Sequence, residues 1–252
     1  AICRRMKKKL LVLQILWLIL AIPLNAQMHV GMNGLIHVPT ADMDTVGLAR
    51  LGINYVPMEM VPDGMTCDGQ KFNTFTHYMS VTPFRWIEIG YGCTLWKLHY
   101  NQNPKRQTGF YAKDRYFSVK IQAIEEDRWW PSLVVGGNDV YGSSDGGESK
   151  SNYYRNFFVA TSKHFDYRGH IFGAHMAYRK WKRDYNHRWN GVVGGVTYQP
   201  SFYQPLRAMV EWDGSAVNFG VDCRIYKYFF LQCGMQDCQN FTGGLSLCFE
   251  LL

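Results

Sequence analysis

The stretch Leu206-Arg-Ala-Met-Val-Glu-Trp-Asp-Gly-Ser-Ala-Val-Asn-Phe-Gly-Val-Asp-Cys-Arg-Ile225 reads as two strands turned about Asp-Gly-Ser. Leu206, Ala208, Val210 and Trp212 share one face, and Arg207, Met209, Glu211 and Asp213 the other. In the second strand Val217, Phe219, Val221, Cys223 and Ile225 alternate with Asn218, Gly220, Asp222 and Arg224. Side chains of a strand point alternately to its two faces, so each strand has an apolar face and a face with charge at its middle. The same period runs through Ile87 to Leu95 and Phe117 to Ala123. Periodicity alone does not say which face is inside.

The connections supply a direction. Those at Val61 to Gln70, Asn101 to Lys113, Gly142 to Asn152 and Lys182 to Arg188 are long and rich in Gly, Asn, Asp, Ser and charge. They alternate with short ones, Thr82 to Trp86, Glu125 to Pro131, His164 to Gly169, Gln199 to Pro205 and Tyr226 to Phe229, which carry aromatics beside Pro, Lys or Arg. An up-and-down transmembrane barrel sorts its loops this way, with short turns and an aromatic belt at the periplasmic face. A soluble sandwich has no reason to sort loops by parity.

At the N-terminus an apolar run, Leu10 to Ile22, follows Arg4, Arg5 and Lys7 to Lys9 and precedes Leu24-Asn-Ala26. Thirteen residues are too few to cross a hydrocarbon layer of ~30 Å, so residues 1–26 read as a secretory signal peptide, with Met6 a candidate true start. That segment holds five of the 27 Lys and Arg and none of the 20 Asp and Glu, leaving 22 basic against 20 acidic side chains. The formal charge of +7 is therefore no nucleic-acid footprint, and no nucleic-acid partner is expected. Six of the seven cysteines remain, Cys67, Cys93, Cys223, Cys233, Cys238 and Cys248, and most read as small apolar thiols with one loop disulfide as the lesser alternative. None stands at the cleavage junction, so no lipid anchor is expected there.

The expected architecture is all-β, an antiparallel up-and-down transmembrane β-barrel of about twelve strands over residues 47–252, behind a lead-in or plug at residues 27–46. The strands are Gly47–Met60, Lys71–Val81, Ile87–Tyr100, Asp114–Ile124, Ser132–Tyr141, Tyr153–Lys163, His170–Trp181, Trp189–Gln199, Leu206–Trp212, Ala216–Ile225, Phe229–Gln236 and Phe241–Leu251. Ten or fourteen stay open, because the second, fifth and sixth segments alternate poorly. Thr242, Gly244, Leu247 and Phe249 in the last strand resemble the C-terminal signal that barrel-assembly machinery reads.

The lead-in carries a more specific pattern. Gly34, Leu35, Ile36, Pro39, Thr40, Ala41, Met43 and Gly47 match the Gly-Leu-Ile-x-x-Pro-Thr-Ala-x-Met-x-x-x-Gly opening of the YjbH-like outer-membrane proteins, so the chain resembles that family. Arg85 to Tyr91, Pro131 to Gly142 and Val159 to Lys163 extend the resemblance. It departs in length, in lacking a lipidation cysteine, and in Phe157 or Phe158 where an acidic residue is expected. The resemblance implies an outer-membrane β-barrel of a Gram-negative bacterium, tied to exopolysaccharide export, and supplies no catalytic residue.

About twelve strands leave a narrow lumen. Residues 29–46 are expected to tuck into it or across its mouth, the alternative being a flexible lead-in, with Pro39 starting an extended stretch that turns into a short helix. Arg50, Glu88, Lys120, Arg179, Arg207, Glu211, Asp213, Asp222, Arg224 and Glu250 are the lumen-facing charges, whose mixed signs favour mutual pairing over an ion-selective ring. Trp96, Trp181 and Trp189 fit membrane-interface anchoring, with stacking on sugar as the minority use. The histidines look scattered, and Ser80 and His77 face opposite sides of a strand. No enzyme, cofactor or metal site is expected. The partners to expect are outer-membrane lipid, the barrel-assembly machinery, and polysaccharide with periplasmic export proteins. Against this export reading stand a non-transporting structural barrel whose surface loops bind a partner and a soluble lipocalin-like protein.

Overall fold

The computed structural model describes residues 27–142, 152–226 and 228–251. The signal-peptide reading of residues 1–26, and Asp145 with the tip of its loop, lie outside them. Twelve strands form: β1 (Leu48–Val56), β2 (Thr74–Phe84), β3 (Ile87–His99), β4 (Thr108–Ile124), β5 (Ser132–Gly142), β6 (Asn156–Tyr167), β7 (His170–Trp181), β8 (Gly191–Gln199), β9 (Leu206–Trp212), β10 (Val217–Ile225), β11 (Phe229–Gln236) and β12 (Asn240–Glu250). Each pairs antiparallel with the next, and β1 pairs with β12 from Leu48 opposite Glu250 to Tyr55 opposite Gly243, so the barrel closes without a free edge.

Closure settles the question of faces. Leu51, Met79, Ile89, Phe117, Val159, Val196, Phe219 and Phe249 point outward and are exposed, while Arg50, Glu88, Lys120, Arg179, Arg207, Glu211, Asp213 and Asp222 are buried inside. A barrel meeting water on its outside would be stable with these faces reversed, because a continuous apolar wall is costly to hydrate. The faces alternate as a lipid-facing barrel requires.

Two of the poorly alternating segments have local causes. In β5 Asp139 takes a left-handed conformation (φ 53°), and the β4 register slips between Phe117 and Val119, so side chains beyond Gly137 lose period two. Tyr153 and Tyr154 precede β6, which starts at Asn156. The short connections share one end, where Phe84, Trp86, Trp129, Trp130, Phe165, Tyr167, Phe202, Tyr203 and Tyr228 are all exposed. At the other end the first four connections are long, but the last two shrink to 213–216 and 237–239.

Three expectations are corrected. Residues 39–46 contain no helix; they run irregularly into a turn at Val46 and Gly47. The Ala41 amide goes to Ser162 Oγ of the wall and the Asp42 amide to Thr40 Oγ1, so side chains rather than a helical ladder hold the segment. Trp181 and Trp189 are not interface anchors: both are buried inside against the lead-in. Glu250 has the inward parity but sits at the exposed end of β12. The six cysteines from Cys67 to Cys248 are free thiols.

Candidate functional site

Residues 27–44 lie inside the ring of strands, Pro39 and Thr40 with them, and Val46 is exposed where the segment meets β1. Met28, Val30, Met32, Leu35, Ile36 and Val38 are buried in one cluster with Tyr116, Tyr154, Phe158, Trp181, Trp189, Val193 and Met209 of the wall. This plug is a tight turn: Gly34 pairs with Pro39, and the Leu35 amide donates to the Val38 carbonyl at 2.9 Å. The fold places Leu35, Ile36, His37 and Val38 at its tip.

Glycines in the wall make room for the tip. A Cβ at Gly195 would come within 2.6 Å of Leu35 Cδ1, and at Gly220 or Gly234 within 2.8 Å of Ile36 Cδ1. One at Gly90 would meet Met32 Sδ at 2.6 Å, so these glycines act as sockets for plug side chains.

Buried charges take up the plug's polar backbone. Glu211 accepts the amides of Ile36 (3.0 Å), His37 (2.9 Å) and Val38 (3.1 Å), and Asn218 Nδ2 at 2.8 Å. Glu88 accepts the Asn33 amide at 2.8 Å and pairs with Lys120 at 2.9 Å. Lys120 Nζ also donates to the carbonyls of Asn33 (3.1 Å) and Asp42 (2.6 Å). Arg179 donates to the carbonyls of His37 (2.7 Å), Asp213 (3.0 Å) and Trp189 (3.2 Å). Arg50 holds Asp44 through two bonds, of 2.7 and 2.6 Å, and Asn54 Nδ2 reaches the carbonyls of Met28 and His29 at 3.2 Å. A buried amide without an acceptor costs about 1–3 kcal/mol, so in each case the wall supplies the partner that water would otherwise give.

His37 Nδ1 lies 3.2 Å from Asp213 Oδ2, and the same carboxylate accepts the amides of Ser215 and Ala216. Burial, and then Arg179, draw His37 down to about 4, so it is neutral. Burial pushes Asp213 up, but the hydrogen bond from His37 and those from Ser215 and Ala216 hold it below the usual carboxylate range.

Of the ten charges read as lumen-facing, Arg50, Glu88, Lys120, Arg179, Glu211 and Asp213 bind the plug. Arg207 and Asp222 pair with each other at 3.0 Å across β9 and β10. Arg224 and Glu250 stand together at the short-turn mouth. The matched motif residues Gly34 to Ala41 form the plug turn, Met43 packs beside it, and Gly47, at φ 80°, turns the chain into β1. Thr242 and Gly244 face inward against β1, while Leu247 and Phe249 face outward.

Residues 26–146 match the model of the YjbH family, an exopolysaccharide biosynthesis protein. Over that stretch the chain is YjbH-like. No curated protein matches it. The YjbH-like stretch runs from the plug through β5, so it contains the plug together with Arg50, Glu88 and Lys120, three of the charges that hold it.

Sequence reasoning missed the plug's own polar groups, Asn33, His37 and Asp44, and two histidines of the wall. Inward parity in β7 runs through Gly173, His175, Ala177, Arg179 and Trp181, so assigning Arg179 to the lumen also assigns His175 and Trp181. In β6 the same rule takes Ser162 and His164 inward with Asn156, Phe158 and Ala160.

Proposed function

We propose that this YjbH-like barrel sits in the outer membrane of a Gram-negative bacterium and serves export or surface assembly of exopolysaccharide, with residues 27–46 as the gate of its lumen. The family supports the exopolysaccharide setting, and the apolar outer wall with its aromatic end supports the membrane. The observation that carries the gate is Glu211 with three consecutive plug amides. That contact uses backbone and polar groups throughout, so water or sugar hydroxyls can replace it when the plug leaves. The exposed aromatics of the short-turn end, Trp129, Trp130 and Phe202 among them, form the rim on which a periplasmic export protein would dock.

The seated plug also favours a second reading, in which the barrel stays shut and its long loops bind a surface partner. Single-channel conductance of the reconstituted barrel, with and without residues 29–46, separates the two when read beside surface polysaccharide in a deletion strain. Export predicts that the shortened chain conducts and that the deletion strain loses surface polysaccharide. A shortened barrel that stays silent, in cells with normal polysaccharide, refutes export.

A further inference from the structure

Two of the histidines that look scattered in sequence meet at one place. His164 of β6, His175 of β7 and Asp42 of the plug bring one nitrogen each and the carboxylate together, their ligand atoms all within 4.8 Å of one another. His164 Nε2 lies 3.8 Å from Asp42 Oδ1, and His175 Nδ1 lies 3.8 Å from Asp42 Oδ2. Neither distance is a hydrogen bond. Asp42 Oδ1 is buried and has no hydrogen-bond partner, although the Asp42 side chain is only 5% exposed. A buried carboxylate oxygen aimed at a ring nitrogen it does not bond is an unmet acceptor.

The surroundings already orient the ligands. Glu126 accepts both the His164 amide and its Nδ1, each at 2.7 Å, which leaves Nε2 free to face Asp42. His175 Nε2 is 3.1 Å from Thr197 Oγ1, which leaves Nδ1 facing Asp42 and the Ser162 hydroxyl at 2.8 Å. Outer partners of this kind, a carboxylate on one histidine and a hydroxyl on the other, fix tautomer and ring direction at metal centres. The nearby cations are engaged elsewhere, Arg207 with Asp222 and Lys120 with Glu88.

We infer that Asp42, His164 and His175 form a site for a divalent transition cation of the zinc type, which clips the plug to the wall at the short-turn mouth of the lumen. Two imidazoles and one carboxylate suit zinc, at bond lengths of roughly 2.0–2.2 Å, and leave a fourth position open. Such lengths set ligand atoms roughly 3.3–3.5 Å apart in a tetrahedron, so the ion draws the three inward from separations of 3.8 Å, imidazole to carboxylate, up to 4.8 Å. The ion takes the His175 Nδ1 lone pair from the Ser162 hydroxyl, which turns away. His164 is part-exposed, so the ion has an entry path from that mouth. Asp42 is the only one of the three on the plug, so the ion stabilises the seated state alone. This inference does not rest on the export reading.

The test uses tag-free barrel folded in detergent, stripped with a chelator, and titrated with Zn²⁺ by calorimetry and Co²⁺ by visible absorption. One equivalent is expected, with the cobalt bands of a four-coordinate site. Asp42→Asn keeps the side-chain size and should weaken binding at least tenfold, as should His175→Gln. Glu126→Gln, which touches the ion only through His164, should weaken it about tenfold. Zn²⁺ should also slow amide exchange over residues 40–46 in the wild type and leave the Asp42→Asn chain unchanged. If His175→Gln does not fold, His164→Gln at the part-exposed position replaces it. Absence of saturable binding overturns the inference, as does wild-type affinity in the folded variants. Binding that survives them and disappears with Cys67→Ser would move the ion to Cys67, Asp68 and His99 in the long-loop end, and also overturns it.

Discussion

Replacing Glu211 by Gln should unseat the plug tip while leaving the barrel intact. The carboxylate accepts three plug amides within 2.9 to 3.1 Å, and Asn218 besides. Hydrogen bonds to a charged group are worth roughly 1.5–3 kcal/mol each, but three that share one carboxylate do not add in full. The Gln oxygen keeps part of the bonding, while its NH₂ turns a donor toward donors. A net loss of about 3–4 kcal/mol follows, and at 1.4 kcal/mol per tenfold the opening equilibrium rises roughly 10² to 10³-fold. Hydrogen exchange reads this directly, since amides protected by a local opening exchange in proportion to it. The Ile36, His37 and Val38 amides should exchange faster by that factor, with the ladder from β2 to β8 unchanged. If those three amides keep wild-type protection in the folded variant, Glu211 does not hold the plug and the reasoning fails.

Other perturbations bear on separate contacts. Gly90→Leu should displace Met32, because nothing but that side chain lies within 3.4 Å of the new Cβ, and Gly90→Leu with Met32→Ala should reseat the plug; protease cleavage between residues 27 and 46 scores both. Arg207→Met should destabilise the barrel by about 3–5 kcal/mol, because it strands Asp222, and adding Asp222→Leu should recover most of the loss in urea unfolding midpoints. His37 lies at about 4 in the seated plug and regains an ordinary value near 6.5 on release, so protons favour the released form and seating weakens as pH falls from about 6.5 towards 4. Asp213, held below the usual range, acts in the same direction: its contribution is present above the ordinary carboxylate value and fades below it. An imidazole resonance of His37 that titrates near 6.5 in the folded barrel would contradict this, and His37→Gln should flatten the pH dependence of plug cleavage.

The barrel was legible because a wall with an apolar outside and a polar inside imposes period two on nearly every strand. Twelve segments marked from alternation correspond one for one with β1 to β12, and the boundaries missed, such as Gly47–Met60 against Leu48–Val56, lie where strands run into irregular loops. The inward charges were legible for the same reason, since parity within a strand is local information. Their partners were not. Glu211 and Ile36 are 175 residues apart, and nothing in either neighbourhood announces the other. The helix expected after Pro39 failed on this count, because the side chains that hold that stretch come from afar: Ala41 donates to Ser162 Oγ, 121 residues on. The Asp42, His164 and His175 cluster was hidden in the same way, being assembled from a turn and two strands.

Gly47 joins the plug to β1, and it is fastened on both sides, its amide to Thr82 O at 2.8 Å and its carbonyl to the Leu251 amide at 2.8 Å. A plug that leaves the lumen therefore remains on a leash, its tip at Leu35 to Val38 only about ten residues from Gly47. Its effective concentration at the empty sockets is on the order of millimolar, whatever the protein concentration. Reclosure is then a first-order event within each molecule, and free peptide copies of the plug turn would have to exceed that concentration before they could compete for Glu211.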